Sequence, residues 1–215
     1  MNKLFDMDTP LMRKLSQVPD LMLLNLLWLL CSAPVVTAGA ATVAMHAVLQ
    51  RYVAGEENGV LRPFFDAFRK NFKQSTGLWL PMLLVIGLLL LDFLFLMEKA
   101  AGLQLLLWIP LLLIGTVVSI LLAYGFPLMA RYENQTGTIV SNAFLLFSLH
   151  FFPSLAAVAL TLLPWLLFLL LPETFVQTGA LWLLVGFSLL AYIAEHILLP
   201  IFKKYETREP VQPEE

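Results

Sequence analysis

Hydrophobic positions in this chain run in long blocks rather than alternating with polar ones. Residues 74–97 carry one charge, Asp92. Residues 103–129 carry none, and neither do residues 151–172. Residues 180–200 carry Glu195 beside His196 and no other acid or base. Each block is at or above the ~20 residues that cross ~30 Å of hydrocarbon. They predict helices, because a lone strand leaves its backbone groups unsatisfied in lipid. A further apolar stretch, residues 21–50, is interrupted by "CSAPVVTAGAAT", with Pro34 and Gly39 near its middle. It predicts a helical hairpin, residues 21–32 up and 35–52 down. The first arm, about 12 residues at ~1.5 Å each, reaches only ~18 Å. The pair therefore reads as two crossings or as a re-entrant hairpin. One kinked helix with the N-terminus outside is a rival, as is a signal peptide cut after "AGA" at 38–40. The long leading segment with Asp6, Asp8 and Asp20 speaks against the signal.

Three segments lead into ascending blocks. They are "TPLMRKLSQVPDLMLLNLLWLL" from Thr9, "RPFFDAFRKNFKQSTGLWLPMLL" from Arg62 and "TIVSNAFLLFSLHFFPSLAAVAL" from Thr138. In the second, Phe64, Phe65, Phe68 and Phe72 recur at helical spacing, while Asp66, Arg69, Lys70 and Lys73 take other faces. That pattern suits a helix in the headgroup region or one packed on its own bundle. Glu57 and Asn58 recur as Glu133 and Asn134, and Ala67 and Phe68 recur at the same offset as Ala143 and Phe144. The predicted fold is all-α, a polytopic transmembrane helical bundle of three hairpin-like units with interfacial amphipathic helices. The units span about 1–53, 62–133 and 138–206 of one integral membrane domain, and 207–215 form a polar C-terminal tail.

Composition agrees. Of 215 residues, 60% are hydrophobic and 13% charged, more apolar side chain than a soluble domain of this size can hide. The net charge of -2 leaves no nucleic-acid footprint. The single Cys31 excludes an intrachain disulfide framework. The bases set orientation. Every Lys and Arg except Lys99 falls in the N-terminal segment, at 51–73, at Arg131 or from Lys203 onward. By the positive-inside rule these regions and both termini are cytoplasmic, and the turns at Lys99 and Glu173 face out of a multi-pass cell-membrane protein. Two descending blocks end alike, in "FPLMARYEN" and "LPIFKKYET". A base suits a helix C-terminus, and tyrosine suits the interfacial belt. Arg51, Tyr52, Arg131, Tyr132, Lys203, Lys204 and Tyr205 are thus the expected membrane-interface residues, with the lipid bilayer as partner.

No Walker A loop, GxSxG, HExxH or CxxC pair occurs. Candidate chemistry rests on polar residues within apolar helices, which are costly in lipid. These are Glu195, His196, His46, Asn25 and Asp92. Asp92 stands six residues before Glu98 and reads first as a boundary carboxylate. Lys203 lies seven residues beyond His196, and Arg51 five beyond His46, roughly 10 Å and 7 Å at the helical rise. Glu195, His196 and His46 can therefore share one depth, where a Glu–His contact binds a proton or cation. The plainer reading is a polar pair that locks helices together. His46 is the expected neighbour of Glu195. No cofactor or metal is expected, and no enzymatic activity.

"NLLWLLCSAPVVTAGAATVAMHAVLQRYVAGEE", "FFDAFRKNFKQST" and "FPLMARYEN" together resemble the YesL family of bacterial integral membrane proteins. The resemblance spans nearly the whole chain and is most specific from Asn25 to Glu57. Members have no assigned function and often stand beside genes for carbohydrate uptake and its regulators. The resemblance implies an auxiliary role in sugar acquisition, with a carbohydrate transporter or sensor as partner. It carries over no catalytic residue. The alternative is a small-solute transporter or channel using the intramembrane Glu and His.

Overall fold

The structure is a computed structural model that describes residues 17–56, 59–97 and 101–206, without the side chains of 97 and 101–107. The bases at 3, 13, 14, 99 and 208, the Glu57 and Asn58 pair and the tail 207–215 lie outside the described residues.

Helix α1 (Val18–Ser32) opens with Pro19 in its first turn, where a missing N–H costs nothing. A 3-10 turn (Val35–Thr37) joins it to α2 (Ala38–Val53). Two bonds stitch the arms antiparallel. Trp28 Nε1 donates to Thr42 Oγ1 at 3.0 Å, and the Tyr52 hydroxyl donates to Asp20 Oδ2 at 2.8 Å. This is a hairpin, and the single kinked helix is excluded. Its arms of 15 and 16 residues rise about 22–24 Å, short of the ~30 Å hydrocarbon core. Among the described residues, four helices are long and apolar enough to cross a membrane: Leu61–Leu96, Trp108–Arg131, Phe151–Leu170 and Gly179–Glu206. The hairpin is not one of them.

Helix α3 (Leu61–Met97) has 37 residues, about 55 Å of rise. The Phe-rich segment and the block after it are one continuous helix. The polar residues at the join do not stop it, because Asn71 Nδ2 and Ser75 Oγ bond carbonyls four residues back in the same helix. Its phenylalanines divide between two settings. Phe64 is fully buried and Phe68 partly so, while Phe65 and Phe72 are exposed. The hairpin tip rests against α3, where Trp79 Nε1 donates to the Val35 carbonyl at 2.7 Å.

Helix α4 (Ala101–Ile120) passes through a π turn (Leu121–Gly125) into α5 (Phe126–Arg131). Pro127 explains the offset. It lacks the N–H that would bond the carbonyl of Ala123, and its ring crowds that turn. Helix α6 (Thr136–Leu149) breaks at His150 before α7 (Phe151–Leu170). Short helices α8 (Pro172–Gln177) and α9 (Gly179–Leu181) lead to a second π turn (Trp182–Gly186) and α10 (Phe187–Glu206).

Two apolar clusters hold the bundle. One surrounds Tyr124, Phe126, Ile139, Leu198 and Phe202. The other joins the hairpin to α3 through Leu24, Val48, Leu49 and Phe64. Ala40, Ala41 and Ala44 are wholly buried, so the backbones approach closely there. The outer surface is leucine-rich. Leu84, Leu91, Leu112 and Leu113 are each more than 60% exposed, which suits contact with lipid tails.

Candidate functional site

Small side chains on α2 bring that helix against α10. His46 and Gln50, one helical turn apart, then face the same residue, Glu195. His46 Nδ1 lies 2.7 Å from Glu195 Oε1, and Gln50 Nε2 donates to the same oxygen at 3.1 Å. Gln50 Nε2 also donates to the Pro127 carbonyl at 2.9 Å, which ties α5 into the cluster. Glu195 is wholly buried, and His46 and Gln50 nearly so. The other carboxylate oxygen, Glu195 Oε2, is buried with no hydrogen-bond partner. Such a group is expensive in a low-dielectric interior.

Gln50 also lines a polar cavity of about 820 Å³ where the ends of α2, α5 and α10 meet the start of α3. Its walls carry Arg51, Arg62, Lys70, Arg131 and Lys203 beside four carboxylates. Arg51 and Arg62 hold Glu56 and Asp66 loosely, at 3.6 and 3.8 Å. Lys70 bonds Glu133 closely. Here the two similar helix endings meet. Arg131 grips Glu206 with two nitrogens, Nε at 2.5 Å and a terminal nitrogen at 2.9 Å, and the Tyr132 hydroxyl donates to Glu206 at 2.8 Å. Burial, then the bond to Glu206, pushes the Tyr132 hydroxyl up to about 12. Lys70 holds the Glu133 carboxyl below its ordinary value.

The five candidates separate. His46 and Glu195 come together. His196, next in sequence to Glu195, is exposed, and its Nδ1 meets the Tyr192 carbonyl of its own helix at 2.9 Å. Neighbouring residues on a helix point about 100° apart, so both cannot face α2. Asp92 is exposed on α3. Asn25 serves elsewhere. Its Nδ2 donates to the carbonyls of Trp182 and Leu183, both at 2.9 Å, and its Oδ1 accepts from the Ser188 amide at 3.0 Å. Those backbone groups sit in and just after the second π turn, where the regular ladder slips. Among the expected interface residues, Tyr52 departs. It is buried in the hairpin cluster, because its hydroxyl finds Asp20 rather than water. Lys203 and Lys204 are exposed and Tyr205 is half-buried, with its hydroxyl 3.1 Å from His150 Nε2. Sequence reasoning passed over Gln50, although its position four residues after His46 puts both on one face. Among the described residues no group of three or more His, Cys, Asp or Glu could hold a metal ion.

Comparison with known proteins gives one likeness. A family model described as "Protein of unknown function, DUF624" matches residues 21–93. The match spans the hairpin and most of α3, and so includes Asn25, His46 and Gln50 but not Glu195. No curated protein and no solved structure matches the chain.

Proposed function

We propose that this is a non-enzymatic membrane protein that works as an accessory to carbohydrate uptake or its regulation, seated in the cell membrane with the polar cavity and both termini on the cytoplasmic side. The observation that carries the accessory reading is the charged lining of the cavity, five bases beside four carboxylates. Gln50 is part of that lining and is held at once to Pro127 and Glu195. An open recess lined by paired charges suits contact with a partner's loops. The carbohydrate assignment is supported by the resemblance carried by Asn25 to Glu57, and the orientation by the clustering of bases. The test is purification in mild detergent from native membranes, with identification of co-purifying proteins. A carbohydrate transporter or sensor recovered in near-stoichiometric amount is expected. Recovery of the chain alone counts against the reading.

A second reading, a small-solute transporter, is favoured by the unpartnered oxygen of Glu195. It requires proton- or cation-coupled flux in reconstituted vesicles that disappears in Glu195→Gln.

A further inference from the structure

We propose that His46 and Glu195 form a proton-binding site that holds one exchangeable proton, supplied from the polar cavity past Gln50. The argument is one of charge and of free lone pairs. Glu195 is wholly buried, and both donors that reach it, His46 and Gln50, go to Oε1. With a carboxylate and a neutral imidazole, the site carries a whole uncompensated charge where charge is costly. One added proton removes it, either on Glu195 Oε2 or on the imidazole. Oε2 is the open position, because nothing bonds it. A proton placed there is compatible with both bonds to Oε1, so the two protonation states share one packing. His46 then keeps its proton on Nδ1 in both states and donates throughout.

Among the described residues, no further charged group is bonded to Glu195. Asp20 on α1 is bonded to Tyr52 of α2. Arg51 on α2 faces Glu56, and Arg131 on α5 faces Glu206 of α10. On α3, Arg62 faces Asp66 and Lys70 faces Glu133. Lys203 lines the cavity, and Lys204 is exposed. His196 turns to its own helix, and α7 has no acid or base. Gln50 both lines the cavity and hydrogen-bonds Glu195. Its amide does not carry protons, so it acts as a positioning residue that must swing aside. A hydronium in the cavity then gives its proton to Oε2, one O–H bond breaking as the other forms, and leaves as water. Release is the reverse.

This site does not depend on the accessory reading. The test is infrared spectroscopy of the full chain in lipid nanodiscs across pH, with nitrogen NMR of the histidines. The expected result is the C=O band of an undissociated carboxylic acid, or a His46 imidazolium signal, that titrates with pH. The band shifts in deuterium oxide and is lost in Glu195→Gln. If that variant does not fold, Glu195→Asp, which keeps the acid and shifts the band, makes the assignment. Gln50→Ala should speed deuterium exchange of the band several-fold. Neither signal at any pH where the protein stays folded would overturn the site. So would a signal that follows sodium or potassium at fixed pH, which marks a metal-cation site. Unchanged exchange in Gln50→Ala would overturn the route through the cavity. A missing partner in the purification leaves these outcomes unaffected.

Discussion

His46 and Glu195, 149 residues apart in the chain, meet through a 2.7 Å contact that fastens the short hairpin to the last membrane helix. The contact links an element whose length suffices to span to one whose length does not. The run Gly179–Glu206 that ends in α10 is long enough to span, and the hairpin arms are not. Removing the carboxylate strands two buried donors at once. Glu195→Leu should therefore destabilise by about 3 kcal/mol, in the range for breaking a buried polar pair. Glu195→Gln keeps the accepting oxygen and should cost only about 1 kcal/mol. Thermal unfolding of both variants in detergent gives the order, and equal losses would contradict it.

Asn25 makes three hydrogen bonds with backbone groups in and just after the second π turn. With a net worth of about 1 kcal/mol each, Asn25→Leu should cost about 2–4 kcal/mol once partial rearrangement is allowed. The more specific outcome is local. The Ser188 amide loses its acceptor, so its hydrogen exchange should accelerate more than that of amides near Glu206. Uniform acceleration along α10 would point to general unfolding instead.

Much of the architecture was legible because lipid imposes a length. The four membrane blocks could be read directly, and so could the hairpin break at Pro34. Partner choice was less legible. Glu195 and His196 are equally polar in the sequence, and only the rotation of α10 selects one of them. Tyr52 and Tyr132 both follow an arginine near a helix end, yet one is buried against Asp20 and the other reaches Glu206. The π turns were invisible to apolar pattern. Each shifts the helix by one residue without changing composition, and only Pro127 hints at the first.

At Gly39 the backbone of α2 lies tight against α3. A Cβ there would lie 2.6 Å from Trp79 Cβ and 3.0 Å from the Ser75 carbonyl oxygen. Backbone and the root of a side chain cannot swing away, so the helices must part. Gly39→Ala should cost about 1–3 kcal/mol as overpacking does. Gly77→Ala on α3, whose Cβ meets nothing within 4 Å, is the control and should be near neutral. Comparable melting temperatures for the two variants would refute the close approach.

The proposed orientation predicts labelling. In a Cys31→Ser background, a cysteine at Gly59 or Asn134 should react only after a membrane-permeant reagent is used. A cysteine at Thr174, in α8 between the last two spans, should react from outside. The expectation follows from bases at 51–73 and Arg131 and their lack near Glu173. Outside reaction at Gly59 would reverse the whole arrangement, since four spans and a returning hairpin fix every other loop relative to it.

The bond from Lys70 to Glu133 pins α3 to the link between α5 and α6, beside a second bond from Gln74 Nε2 to the Asn134 carbonyl. Lys70 lowers the Glu133 carboxyl in the folded state, first by hydrogen bonding and then by its charge. The folded protein therefore binds fewer protons than the unfolded one as pH enters the carboxylate range. The contribution of this bridge is complete above the unfolded value and disappears as pH falls through the folded one. Both groups are well exposed, so the effect is small and screened by salt. The wild type should melt slightly above Glu133→Gln at neutral pH and low salt. The two curves should converge in acid and also in high salt at neutral pH. A gap that survives acid would mean that Glu133 stabilises through something other than its charge, because an amide and a protonated carboxyl differ little in size.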